Sequence, residues 1–136
     1  MIGRRRRASP TRPPDLRARL ERARLDTLAL LRALDAAHLS PRELPPRELQ
    51  DVFELDAVCA EALWALDQPA GPLDPHAMQR DTRSALEQIA AARDQLRAAL
   101  PPGARDRLKA LEPLVRATLE PAEAYNEVPG RDPNAR

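Results

Sequence analysis

Few side chains in this sequence are equipped for chemistry, and they are scattered. The nitrogen and sulfur donors are His38, Cys59 and His76, one in each of three separate segments. Zinc sites are built from close pairs such as Cys-x-x-Cys, and di-iron bundles from Glu-x-x-His on facing helices. Neither spacing occurs here. Cys59 therefore reads as a small core hydrophobe, and His76 as a residue of a helix's first turn. His38 reads as a charge near a helix C-terminus, where the dipole favours a cation. Among candidate nucleophiles, Ser40 is committed to a cap and Ser84 sits mid-helix among charged neighbours. Gly3, Gly71, Gly103 and Gly130 are isolated, so no phosphate-cradling loop can form. The expectation is a non-enzyme with no catalytic residue, no metal site and no cofactor.

One spacing stands apart. Arg32-Ala33-Leu34-Asp35-Ala36-Ala37-His38 is an Arg-x5-His pattern within a helical stretch. It loosely resembles the motif of the HEPN superfamily of helical ribonucleases, in which the two side chains share a site at a dimer interface. The resemblance covers seven residues of 136, and alanine follows the arginine where that family usually has a polar residue. No catalytic role is assigned from it.

Charge is the stronger signal. Net charge is +1, but residues 1–24 carry nine arginines against Asp15 and Glu21, or +7. Residues 43–74 carry eight acids against Arg47, or −7. Such asymmetry implies either that the two regions face each other, within one bundle or between subunits, or that an anionic partner meets the basic end. Arg4, Arg5, Arg6, Arg7, Arg12, Arg17 and Arg19 are the candidate contacts to nucleic acid or another anionic partner. Lysine occurs once against 21 arginines, a bias that GC-rich coding also produces. Phe53 and Trp64 read as core, leaving only Tyr125 among the aromatics, so no stacking platform for bases is expected. Binding through the arm would be electrostatic and indifferent to sequence.

Asp56 is the most unusual residue for its position. At helical spacing it falls among Leu49, Val52, Ala60 and Leu63. A carboxylate there needs a partner, because an unpaired buried charge is costly. That partner is an arginine or His38 of the same chain, or a group on another chain, which makes Asp56 an interface candidate.

The elements that must position these residues are helices. Leu16, Leu20, Ala23, Thr27, Leu31, Leu34 and His38 share one sector at helical spacing, giving a helix over 14–38. Arg17–Glu21 and Arg22–Asp26 are opposite charges four apart and read as its solvated face. Ser40-Pro41-Arg42-Glu43 has the form of a capping box, cut short by Pro45-Pro46. A second helix follows over 46–67, burying Leu49, Val52, Phe53, Leu55, Cys59, Ala60, Leu63, Trp64 and Leu66. Asp74-Pro75 caps a third over 74–100, where Met78, Ala85, Ala92 and Ala99 recur every seven residues between Thr82, Ile89 and Leu96. A fourth spans 104–126, with Ala104, Leu108, Leu111, Val115, Thr118, Leu119 and Ala122 on one side. Pro113 and Pro121 are expected to kink or break it. The chain thus divides into a disordered basic arm (1–12), an all-α antiparallel four-helix bundle (13–126) and a disordered tail (127–136).

No apolar run approaches the ~20 residues of a membrane span. The basic start leads into prolines, without the apolar core of a secretory signal. The expected location is the cytoplasm. The leading functional reading is a helical adaptor, chaperone or assembly subunit acting through a protein partner or homo-oligomer. The alternative is a nucleic-acid-associated module using the arm. The two separate on one measurement, titration of full-length protein and a chain lacking residues 1–12 into a labelled duplex at two salt concentrations. Under the nucleic-acid reading the deletion weakens binding to every sequence. It also flattens the slope of log affinity against log salt by up to ~0.9 per lost phosphate contact. Under the adaptor reading the deletion leaves the main partner bound, and an absence of duplex binding by the full-length protein at low salt means that the arm is not a nucleic-acid tether.

Overall fold

The computed structural model describes residues 13–71 and 73–126, and every regular element among them is an α-helix. These are α1 (Pro13–Ala36), α2 (Pro46–Asp67), α3 (Pro75–Ala99) and α4 (Pro102–Asn126). The arm and tail of the sequence reading lie outside the described residues.

The helix ends follow local chemistry. The Ala37 N–H donates to the Ala33 carbonyl at 2.9 Å, and the next residue, His38, turns left-handed at φ 51°. Histidine enters that region more readily than most residues other than glycine, and the chain leaves the helix there. His38 is therefore not a helical residue, and it is exposed instead of lying in the apolar sector. Arg32 and His38 consequently do not share one helix. Pro46 opens α2 at its first position, where the missing N–H costs nothing. The Asp74 carboxylate accepts the Ala77 N–H at 3.0 Å, capping α3 as its spacing predicts. The Arg105 N–H reaches the Pro101 carbonyl at 2.8 Å, so α4 starts two residues ahead of the expected boundary.

α4 also runs through Pro113 without the expected break. Pro113 and Lys109, whose carbonyl the proline ring leaves without its usual partner, are both exposed. Water can satisfy that carbonyl there, so the helix continues.

Residues 41–44 form a turn, not a helix. Half of the expected capping box is present in it. The Glu43 carboxylate accepts the Ser40 backbone N–H at 2.9 Å, and the Ser40 carbonyl accepts the Glu43 N–H at 2.9 Å. Arg107 of α4 donates to both Glu43 oxygens at 3.1 Å, fastening the turn to the far helix.

α1 is the centre of the bundle. It packs against α2, α3 and α4, while α2 also packs against α3. Arg17–Asp67 and Arg24–Asp56 join α1 and α2 in reverse order along the chain, so these two helices run against each other. The core falls into two parts. Leu16, Leu20, Ala23, Cys59, Ala85, Leu86 and Ile89 form one. Leu30, Ala33, Leu34, Val52, Ala92, Leu96, Leu100, Ala104 and Leu108 form the other.

The α3 pattern holds at Thr82, Ala85, Ile89, Ala92 and Leu96, all buried, while Met78 is only partly covered and Ala99 is exposed. On α1 Leu30 is fully buried, as Leu20 and Ala33 are, while its neighbour Leu31 is only partly covered. The larger correction falls on α2. Phe53 is 50% exposed and Trp64 66% exposed, so neither is core. α2 is apolar around most of its circumference but is covered mainly by α1 and α3, with Val52 and Cys59 buried and the face that carries Phe53 and Trp64 left bare.

Two measurements test this account. Leu30→Ala and Ile89→Ala are each expected to lower unfolding free energy by about 2–5 kcal/mol, through lost transfer energy and the cavity left behind. Leu31→Ala costs distinctly less. In denaturant titrations, equal losses at Leu30 and Leu31 would overturn the assigned register of α1. The second concerns Glu43, whose carboxyl is held below its ordinary value by the Ser40 N–H and then by Arg107. A depressed folded value means stability present above the unfolded value of about 4.3 and lost as pH falls through the folded one. The stability gap between wild type and Glu43→Gln is therefore widest near neutrality and closes in acid.

Candidate interaction surface

Two pairs of the opposed charges meet across the partly exposed seam between α1 and α2. Arg24 on α1 donates to Asp56 on α2 through both Nε (3.2 Å) and a terminal nitrogen (3.1 Å), an in-plane fork suited to a carboxylate. The carboxylate raises the arginine's pKa, chiefly through this hydrogen bond. Asp56, largely covered, thus has its partner on the neighbouring helix. Arg17 pairs with Asp67 and, at 3.9 Å, with Glu21. The Arg17 guanidinium is therefore already engaged by acids of its own chain, whereas Arg19 is exposed. Arg4, Arg5, Arg6, Arg7 and Arg12 lie outside the described residues.

A second group is buried more deeply. Arg93 of α3 has a side chain only 11% exposed, and burial pulls its pKa down. It donates to the Thr27 hydroxyl at 3.2 Å and to the Ala23 carbonyl at 3.4 Å, and lies 3.6 Å from the Asp26 carboxylate. Thr27 itself donates to the Ala23 carbonyl at 2.9 Å. Asp26 also receives Arg116 from α4. Three helices thus converge on one aspartate that spacing alone assigns to a solvated face. Only the tertiary fold brings Arg93 and Arg116 to it, and nothing local in the sequence marks that meeting.

The groups with chemical potential stay apart. Cys59 is fully buried, and burial pushes its thiol pKa up, away from the reactive thiolate. His38 lies in the turn after α1, and His76 is exposed near the start of α3. Among the described residues no three His, Cys, Asp or Glu side chains gather as they would around a metal ion. No described helix is long and apolar enough to cross a membrane.

What the surface does offer is on α2. Phe53, Ala57, Ala60 and Trp64 recur at intervals of four, three and four, which places them on one helical face. Phe53, Ala57 and Trp64 are exposed and Ala60 is partly so. Exposed Glu54 and Glu61 border the stripe on one side. At its N-terminal end Phe53 also lines a groove of about 380 Å³ with Leu31, Leu34, Leu39, Leu44 and Leu49. Large apolar side chains set together and rimmed by charge mark interaction surfaces more often than scattered single ones do. The signal available in the sequence was that α2 has more apolar positions than one buried stripe can hold, which Phe53 and Trp64 exceed.

Compared with known protein families, curated proteins and solved structures, the chain matches none of them.

Proposed function

We propose that this protein is a non-enzymatic helical adaptor or assembly subunit, and that the bare face of α2 is its working surface. The observation that carries the reading is the pairing of Phe53 and Trp64, half or more exposed, along one helical stripe. Leaving two aromatic side chains in water forfeits on the order of 1.5–3 kcal/mol for each large apolar group that burial would supply. A partner that covers them recovers that energy, and aromatic anchors of this kind dominate binding at protein interfaces. Glu54 and Glu61 at the edge select a partner with a basic rim, and Ala57 and Ala60 between the rings allow a helix to approach closely. The complementary surface is an amphipathic helix with basic flanks, on another protein or on another subunit.

The nucleic-acid alternative rests mainly on Arg4, Arg5, Arg6, Arg7 and Arg12, which lie outside the described residues, and among its other contacts Arg17 is engaged by Asp67 and Glu21.

The test places a photo-crosslinking amino acid at Ala57, with the same group at exposed Ser84 on α3 as control, in cells producing the protein. A discrete protein adduct is expected from position 57. It should disappear with Phe53→Ser plus Trp64→Ser, and weaken when Glu54 and Glu61 are replaced by lysine, circular dichroism confirming an intact helical fold. Equal adduct yields at the two positions, or yields indifferent to the aromatic substitutions, would refute the proposal.

A further inference from the structure

Away from the α2 face, the seam between α3 and α4 is not closed by packing. α4 lies mainly against α1, and beyond their tight connection α3 and α4 touch little. An open groove of about 530 Å³ remains between them, within the range of about 300–1,000 Å³ typical of small-molecule sites. Its floor is apolar. Ala29 of α1 and Leu108 of α4 lie buried at its base, so the apolar surface open to a ligand is that of exposed Pro113 and the aliphatic stems of the basic side chains that line it.

The rim is basic, and the bookkeeping of its charges is informative. Arg97, Arg105, Lys109 and Arg116 line the groove against a single acid, Glu112. Arg97 is neutralised by Glu112 (3.1 and 2.6 Å) and by Asp94 (2.9 Å), and Arg116 by Asp26. Among the described residues Arg105 donates to the carbonyls of Ala98 (3.2 Å) and Leu100 (3.0 Å), which orient its guanidinium without cancelling its charge. Lys109 is exposed and has no ion pair among the described residues. Arg105 and Lys109 are four residues apart, hence on one face of α4. Two uncancelled cations thus stand at the edge of an apolar trough.

We infer that this groove binds an amphipathic organic anion, with an apolar body against Pro113 and the aliphatic stems of the lining arginines and a carboxylate or phosphate held between Arg105 and Lys109. This site is independent of the α2 surface and would bind with that surface blocked.

The test is titration of the full chain with decanoate and decyl phosphate below their micelle concentrations, followed by amide chemical shifts and calorimetry. Decanol serves as neutral control and decyltrimethylammonium as cationic control. Both anions are expected to bind saturably, shifting the amides of Arg105, Leu108 and Lys109, with decanol weaker and the cation without effect there. Lys109→Glu, an exposed change that leaves the core untouched, should weaken anion binding about tenfold, the size of one hydrogen bond to a charged group. Lys109→Arg should restore it. Equal binding of decanol, an unaltered affinity in Lys109→Glu, or shifts confined to the Phe53–Trp64 face would each overturn the inference.

Discussion

The arrangement of helices depends on one buried charge. Arg93 enters the bundle from α3 between the two halves of the hydrophobic core, and a guanidinium does not give up its proton at any pH the protein meets. It must therefore find acceptors where it lies. Asp26, Thr27 and the Ala23 carbonyl supply them from α1, and Asp26 in turn receives Arg116 from α4. Sliding α3 along α1 by one turn would strand the arginine away from all three acceptors. An apolar seam rich in alanine tolerates several registers, and a polar layer of this kind tolerates one. The net free energy of such a group is modest, because desolvation offsets much of the attraction. Its effect is to make the alternatives costly.

With α1 held at the centre, the other helices divide the surface between them. α2 is clasped to α1 by Arg17–Asp67 and Arg24–Asp56, which leaves its far side uncovered. α4 is fastened from the other direction, by Arg116 to Asp26, Arg107 to Glu43 and Arg97 to Glu112. Each half of the molecule thus has its own opening, an aromatic face on α2 and a basic-rimmed trough beside α4. Both arise from the same shortage. Four helices with so many small alanines cannot bury every apolar residue at once, so the surplus stands at the edges. The protein-binding proposal and the anion-site inference each take one of these edges.

The ion pairs also change how the chain's charge reads. A +7 segment and a −7 segment suggest a molecule prepared for highly charged partners. Two of these charges on each side cancel within the chain, because Arg17 and Arg24 of α1 lie against Asp67 and Asp56 of α2. Among the described residues, Glu54 and Glu61 remain exposed beside the aromatic stripe and Arg105 and Lys109 beside the trough.

The sequence by itself determined the elements. Proline pairs, the Asp74 cap and apolar residues at helical spacing act within a few residues of one another, so four helices and most of their ends were legible, as was the buried stripe of α3. It also marked Asp56 as a residue that must be paired. The tertiary structure alone decided which partner it took, since Arg24 is one of several arginines at suitable spacing. Only the tertiary structure, too, left Phe53 and Trp64 in water, because periodicity shows which positions are apolar and not how many sides of a helix its neighbours cover. The same holds for Asp26, which local spacing joins to Arg22 and the fold joins to Arg93 and Arg116. His38 fell outside its helix for a local reason that pattern does not reveal, the left-handed turn that its backbone adopts. Long-range pairing depends on packing geometry, and that geometry is set by the whole chain.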